Sequence, residues 1–360
     1  MVSTVPGGDP MLSVLGELVV DLLPVPGAGA GPEGTSPQYV ARPGGNALNV
    51  AVAAGRLEVP VRLLARLGTG PLAPHLRRHA ELSGVDTEGF VDATEPVSVA
   101  VVGLAADGSA DYGFHVLGAA DWQWTDDELA SRLPAETAIL HVGSISSWTE
   151  PGCEAIARLV ARVHADGVLV SVDPNIRPML AAGPVGGTLG NTAPLVHGRL
   201  DRLVALADIV KVSAEDLAWL DGGPTRPDAA PPDAARLDDA ALEWAARGPA
   251  LVLLTDGGGP LRVARPGRPL LLCAPPAVTV ADTVGAGDSL AAGLLSGLLT
   301  SGVTTRAALE DLSDDDVLRL ADDAALVAAL NCTRVGADPP TRAELTAARA
   351  ELTDARAARA

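Results

Sequence analysis

Short apolar runs return at intervals along the chain: "SVLGELVVDLL" at 13–23, "VRLLARLG" at 61–68, "AILHVGSI" at 138–145, "VLVSVD" at 168–173, "IVKVS" at 209–213 and "ALVLLTD" at 250–256. Each is close to continuously hydrophobic, the pattern of a strand buried on both faces. Between several of them, stretches such as "GCEAIARLVARVHADG" and "AEDLAWL" bring apolar residues back at helical spacing. Strand and helix alternate, which predicts a mostly parallel sheet with right-handed crossovers.

Two segments break that rhythm. "PVSVAVVGLAADGSADYGFHV" at 96–116 alternates with period two about an Asp-Gly turn, predicting an antiparallel hairpin outside the parallel sheet. With the extended stretch before Gly44 it is expected to form a small β lid, from about 22–43 and 96–118. "DGGPTRPDAAPPDAARLDD" at 221–239 reads as a Pro/Asp/Ala loop, and 346–360 as an Ala/Arg/Glu helix or tail.

Composition narrows the functions. The 48% of hydrophobic residues are mostly Ala, Val and Leu, and aromatics are only 2%, which favours helices on parallel strands over an aromatic-rich sandwich. A net charge of −19 argues against a nucleic-acid backbone or an anionic membrane as partner. Cys153, Cys273 and Cys332 are far apart and form no CxxC pair, which suits a reducing cytoplasm. No basic leader opens the sequence and no run reaches the roughly 18 apolar residues that span a bilayer, so it reads as soluble and cytoplasmic. Lys211 is the only lysine, so neither a Walker GK[ST] loop nor the strand-lysine motif of a protein kinase is present.

Two motifs mislead. "GAGAGPEG" at 27–34 contains a formal GxGxxG, Gly29 to Gly34, but "TSPQYVARPGG" follows where a dinucleotide fold needs a helix, so it reads as a loop. "HLRRH" puts His75 and His79 on one helical face without a zincin glutamate or a third ligand, so these read as surface histidines.

Two others carry chemistry. In "RPGGNALNVAVAAGRL" at 42–57 a Pro-Gly-Gly turn feeds an Ala-rich helix with Asn46 and Asn49 near its start. Their amides can hydrogen-bond hydroxyls, or cap an ordinary helix. In "DTVGAGDSLAAGLLSGLL" at 282–299, Gly285 and Gly287 allow a tight turn. The N–H groups of Ala286, Gly287 and Asp288 are then expected to converge at a helix N-terminus, an anion site without a lysine in the loop. Asp288 in that first turn is either a dipole-complementing acid or a base beside the anion.

Taken with "GELVVDLLP", "HVGSIS", "VDPNIRPML", "KVSAEDLAWL" and "LLTDGGG", all in order between about 13 and 345, these two motifs resemble the ribokinase-like (PfkB) carbohydrate kinase family. The resemblance implies a three-layer α/β/α sandwich with a central, mostly parallel sheet, formed as one domain over 1–345 with its β lid. It implies ATP and Mg2+ as cofactors, and a small-molecule sugar as partner. Asp288 matches the family's general base, and the backbone of Gly285, Ala286 and Gly287 its anion hole. Asp21, at the end of the first strand, matches the acid that grips sugar hydroxyls with Gly44, Gly45 and Asn49. Asn46 holds a position that varies between family members and is a candidate for choosing the sugar, and Arg177 of the DPNxR motif is a partner for the transferred phosphate.

On the nucleotide side the resemblance assigns Lys211, Ser213, Thr255, Gly257, Gly259 and Asn331. Gly259 stands in for the glycine the family places three residues after Gly257, where this chain has Pro260. "KVSAED" replaces the family's NxxE, leaving Glu215 or Asp216 for magnesium. Asp282 opens the motif beside which some members bind a monovalent cation such as K+; whether the lid also pairs into a homodimer is left open by the sequence.

Within the family, "HVGSIS", "DPNIRP", "KVSAEDL" and the hairpin "YGFHVLGAADW" are most similar to fructokinases, with Phe114 expected to cover the sugar. Fructose is the expected acceptor; ribose, 2-keto-3-deoxygluconate and a nucleoside are alternatives. A nucleoside would want more aromatic surface than two Phe, two Tyr and five Trp supply. A sugar-binding protein that lost the chemistry is the rival from another class, and an intact GAG turn with Asp288 counts against it. An NAD-dependent oxidoreductase would rest on the Gly29 motif alone.

Overall fold

The apolar runs form strands, but the first of them is split. In the computed structural model, which describes residues 8–29, 37–104, 110–222 and 233–357, "SVLGELVVDLL" divides into β1 (Met11–Leu15) and the start of β2 (Val19–Gly29). β1 lies in a nine-stranded sheet with β4 (Val61–Thr69), β5 (Phe90–Pro96), β8 (Thr137–Gly143), β9 (Leu169–Asp173), β10 (Ile209–Ser213), β11 (Leu251–Thr255), β12 (Leu261–Ala264) and β13 (Leu271–Cys273). Its order is β13-β12-β11-β10-β9-β8-β1-β4-β5, parallel except where β12 and β13 add antiparallel at one edge. β2 joins a separate four-stranded sheet with β3 (Pro37–Gly44), β6 (Ser98–Leu104) and β7 (Ala110–His115), in the order β3-β2-β6-β7.

The strand period of two sorts side chains into two cores. Leu251 and Leu253 pack on one face of the large sheet, with the helices Asn46–Arg56, Ala286–Thr300 and Asp314–Cys332. Val252 and Leu254 pack on the other, with Gly152–Ala165 and Ala234–Ala245. Helices on both faces make the three-layer α/β/α sandwich. The small sheet projects from it as the lid, and β6 and β7 pair antiparallel as the period-two pattern predicts. The hairpin's Asp-Gly turn, at 107–108, and most of the Gly29–Gly34 motif lie outside the described residues.

One buried carboxylate ties the lid to the body. Asp121 accepts the Leu18 amide at 2.7 Å, just before β2, and the Ser98 hydroxyl at 2.6 Å, at the first residue of β6. Burial raises its pKa to about 7, against the hydrogen bonds it receives. Neighbouring Glu17 is buried too and accepts the Ser146 amide and hydroxyl at 3.3 and 2.9 Å.

Two sequence expectations change, and a third is resolved between its alternatives. Asp21 stands near the start of a lid strand, not at the end of the first strand of the main sheet, because the chain changes sheets at 16–18. The loop at 221–239 gives way to the helix Ala234–Ala245, started by Asp233 accepting the Arg236 amide at 2.9 Å. The C-terminal segment is helical over Arg342–Ala357. Among the described residues no helix is long and apolar enough to cross a membrane, and no group of three or more His, Cys, Asp and Glu stands together as a metal site, His75 and His79 included.

Candidate active site

Asp288 sits in the first turn of the helix Ala286–Thr300, which is buried around most of its surface and so fixed by its neighbours. Gly285 caps it in the left-handed region, φ 75°, a conformation that favours glycine. The turn is pinned from below by Asn331, fully buried, whose amide donates to the Val284 carbonyl at 2.8 Å. Asp282 closes it from the side, accepting the Val284 amide at 3.1 Å and the Gly336 amide at 2.8 Å.

The donors of this turn differ in part from those expected. Ala286 gives its N–H to the Thr283 carbonyl at 3.2 Å, so it closes the turn instead of facing an anion. Among the described residues the N–H groups of Gly285, Gly287 and Asp288 have no acceptor. They are the open donors at the positive end of a 15-residue helix.

The Asn46–Arg56 helix supplies the partners of Asp288. Asn46 donates its side-chain amide to Asp288 Oδ1 and Asn49 to Oδ2, each at 2.7 Å. Asn46 also lies 3.5 Å from Asp173 Oδ2, and its own Oδ1 is buried without a donor among the described residues. Residues more than 230 apart in sequence are therefore joined at one carboxylate.

The loop's missing lysine arrives from another strand. Lys211, buried on β10, places Nζ 3.2 Å from Asp173 Oδ2, and a β-carbon added at Gly287 would lie 2.8 Å from that nitrogen. Burial works against the ammonium, but Asp173, Asp216 and Asp288 outweigh it and hold its pKa above the ordinary lysine value. Burial raises Asp173 to about 6, with Lys211 opposing. His141, wholly buried and hydrogen-bonded through Nδ1 to Ser171 Oγ at 2.9 Å, is driven down to about 3 by burial and by Lys211, which leaves it neutral and no rival base.

The remaining candidates spread around this centre. Asp21 approaches Gly44 so closely that a β-carbon there would strike its carboxylate, and Gly45 has φ 104°. Burial raises Asp21 to about 6, and the exposed Arg177 opposes it. Phe114, on β7, packs partly buried against a cluster that includes Trp122, Trp148 and Trp219. Asp216 is buried and already accepts the Ile176 amide at 2.7 Å, the Ser213 amide at 3.0 Å and the Ser213 hydroxyl at 2.7 Å, whereas Glu215 is exposed. Thr255 ends β11, and Gly257 (φ 47°) and Gly259 shape the turn after it.

The profile of the pfkB carbohydrate kinase family matches residues 9–344. The chain belongs to the pfkB family of carbohydrate kinases. It is accordingly a phosphotransferase with an alcohol group as acceptor. A fructokinase of Klebsiella pneumoniae is 33% identical over 314 residues, 87% of this chain and 89% of the relative. Among solved structures, the chain resembles Xylella fastidiosa fructokinase with bound ATP, with a TM-score of 0.80, 27% identity and 95% and 99% of the two chains covered. It also resembles Vibrio cholerae fructokinase in its fructose, ADP and calcium ion bound form, with a TM-score of 0.73, 26% identity and 94% and 98% covered.

For this pfkB kinase the sequence missed Asp173 as a contact of Asn46 and Lys211. Its place in DPNxR was visible; that it meets a lysine from the next strand was not.

Proposed function

We propose that this pfkB kinase transfers the γ-phosphoryl group of MgATP to a hydroxyl of a ketohexose, with fructose as acceptor. The observation that carries the mechanism is the pair of 2.7 Å amide bonds that aim Asp288 beside three unspent helix N–H groups. Each Asp288 oxygen keeps a lone pair after accepting one amide, so the carboxylate can orient a hydroxyl and take its proton. The amides of Gly285, Gly287 and Asp288 then stabilise charge on the transferring group, at roughly 3–4 kcal/mol per donor where such groups have been removed. Fructose as acceptor is supported by the fructokinases this chain resembles and by the fructose in one of their structures.

Asp21, with Gly44 and Gly45, is the proposed grip on sugar hydroxyls, and Arg177 the partner of the incoming phosphate. Asn46, proposed to bear on which sugar fits, would act through the Asp288 oxygen it holds, since its own Oδ1 is closed off from solvent. Phe114 covers the sugar from the lid, and the turn after Thr255 holds the nucleotide. Asn331, being fully buried, serves the nucleotide through the shape of the 284–287 turn. Of the two acids proposed for magnesium, Glu215 is the freer, since Asp216 already accepts three donors. One exposed carboxylate fits an ion that binds mainly through water and phosphate oxygens. When bound, the metal neutralises charge on the β- and γ-phosphates. A monovalent cation beside Asp282 would draw mostly on backbone carbonyls, with Asp282 holding the surrounding turn through the Val284 and Gly336 amides. Lid pairing into a homodimer would cover Tyr39 and Val40, both 42% exposed on β3.

The test is ADP release by the purified protein with MgATP and a panel of fructose, ribose, 2-keto-3-deoxygluconate and a nucleoside. Fructose is expected to give the highest kcat/KM. A different leading substrate would displace fructose, and no ADP above background with any of them would favour a binding protein.

A further inference from the structure

We infer that the cavity between lid strand β3 and the helix Ala73–Leu82 is a binding site for a small phosphomonoester, apart from the active site, with Arg42, His75, Arg78 and His79 as its donors. The binding itself does not depend on the kinase reading; its effect on sugar binding rests on that reading.

The cavity measures about 330 Å3, near the lower end of the range for small-ligand pockets, about 300–1,000 Å3. Leu72 and Leu76 line it from the helix side and Pro43 from β3. Its polar side chains are all basic: Arg42 on the strand, and His75, Arg78 and His79 on one face of the helix, three and four positions apart. On a chain of net charge −19 such a cluster makes a local positive field, toward which a small anion is drawn.

These groups are not balanced from within. Arg77, beside them in sequence, pairs with Asp92 and lies over the Phe90 ring, and Arg56 pairs with Asp338. The side chains of Arg42, His75, Arg78 and His79 have no hydrogen bond or ion pair among the described residues. Burial and Arg56 hold His79 below its ordinary pKa, with Asp338 opposing. An anion here would meet two guanidinium groups and two imidazoles without displacing an existing partner.

Phosphate is the anion that these groups fit. Guanidinium N–H groups match its oxygens in pairs, and each imidazole supplies a single N–H. The apolar wall of Leu72, Leu76 and Pro43 suits an uncharged body attached to the phosphate, so an ester fits better than the bare ion. A metal ion is the wrong occupant, because two arginines repel it and no third ligand joins the histidines among the described residues.

The place in the fold gives the site a consequence. β3 belongs to the lid, whereas the helix Ala73–Leu82 follows β4 of the main sheet. A ligand held by both fixes the lid against the body. Arg42 stands directly opposite Asp21 in the register of β2 and β3, and Gly44, two residues on, lies against the Asp21 carboxylate. The ester and the sugar are therefore coupled through β3, and each changes the affinity of the other by the same factor.

The test is calorimetry on the full chain at about 0.15 M salt, where diffuse attraction is screened, with MgADP and fructose present to fill the active site. Inorganic phosphate, fructose 6-phosphate and AMP are titrated separately into wild type, Arg78→Gln, His79→Gln and the double variant. Wild type is expected to bind one ester per chain more tightly than inorganic phosphate. The preferred ester tells a sugar phosphate from a nucleotide. Arg78→Gln is expected to weaken binding about tenfold or more, and the double variant further. Without added ester, the initial-rate kcat of each variant stays within about twofold and its melting temperature barely moves, since Arg78 is exposed and His79 half-buried. No binding to wild type at millimolar concentration overturns the inference, as does equal binding by wild type and the double variant. Sedimentation supplies another check: a wild-type dimer that the double variant loses, with no ester bound to either, overturns it in favour of a contact between copies. Affinity for inorganic phosphate equal to that for both esters overturns the ester and supports a phosphate site. Saturating ester is expected to shift the fructose KM by about fivefold, and an unmoved KM overturns the coupling. Wild-type protein that turns over no sugar sinks the kinase reading, and the calorimetric arms still decide the site.

Discussion

Asp288 and Asp21 are the two carboxylates proposed to meet the sugar, and they are built differently. Asp288 stands on a buried helix with both oxygens held by asparagine amides at 2.7 Å. Asp21 stands on a lid strand, mostly buried, its carboxylate without a hydrogen bond among the described residues and with a pKa raised by burial to about 6. A desolvated carboxylate without donors is costly to hold, whereas one with two amide donors is set in place before any ligand arrives. The difference teaches that the chemical half of the site is finished in the free protein. The proposed recognition half leaves its acceptor unsatisfied, which is what a group meant to receive sugar hydroxyls requires.

The largest effect should come from the finished half. Asp288→Asn keeps the shape but removes the proposed base, and kcat is expected to fall by about 10³-fold or more with small changes in both KM values. The new amide faces two amide donors and can accept from only one through its oxygen, so a stability loss of about 1–3 kcal/mol accompanies it. Steady-state kinetics beside thermal melting separates the two. A folded, active variant would reduce Asp288 to a helix-start acid and remove the contrast.

The recognition half should respond in KM. Asp21→Ala is expected to raise the sugar KM by about 10–100-fold, the worth of a hydrogen bond or two to a charged group, while the ATP KM changes by less than about twofold. Its pH dependence has a definite sign. Below about 6 Asp21 carries a proton and loses acceptor capacity, so the sugar KM should fall as pH rises through about 6. Asp21→Asn should abolish that step. Equal effects on both substrates, or a step that survives in the Asn variant, would take Asp21 out of the sugar site.

The same contrast separates what the sequence disclosed from what it hid. The continuous apolar runs became β4, β8, β9, β10 and β11, because burial on both faces writes itself into local composition. Asp288 was legible because the glycines that shape its turn are its neighbours. The edge strands β5 and β13, and β12 next to the edge, escaped notice, being short or half-exposed and so weakly patterned. The split between β1 and β2 escaped because Leu18 and Ser98 are tied by Asp121, a residue far from either in sequence. The spent N–H of Ala286 and the reach of Lys211 to Gly287 are likewise products of packing, which no local pattern records.

The smallest expected effect lies where the two halves join. Asp121 holds the entries to both β2 and β6, and burial raises its pKa from 3.8 to about 7. The folded state therefore binds the Asp121 proton more tightly than the unfolded chain does. Its contribution to stability is full below about pH 4 and is lost as pH rises to about 7. Asp21 and Asp173, both raised to about 6, add slopes of the same sign, so only the difference between variants isolates Asp121. Asp121→Asn can still accept the Leu18 amide through its oxygen and donate its NH2 to Ser98 Oγ, so the hinge keeps both bonds without a buried charge. The melting temperature of the variant should decline less between pH 4.5 and 8, ending roughly 2 °C or more above wild type at pH 8, with kcat within about threefold. Parallel melting curves would show that Asp121 is solvated in the folded protein. A kcat loss as large as that expected for Asp288→Asn would mean the hinge belongs to the chemical half after all.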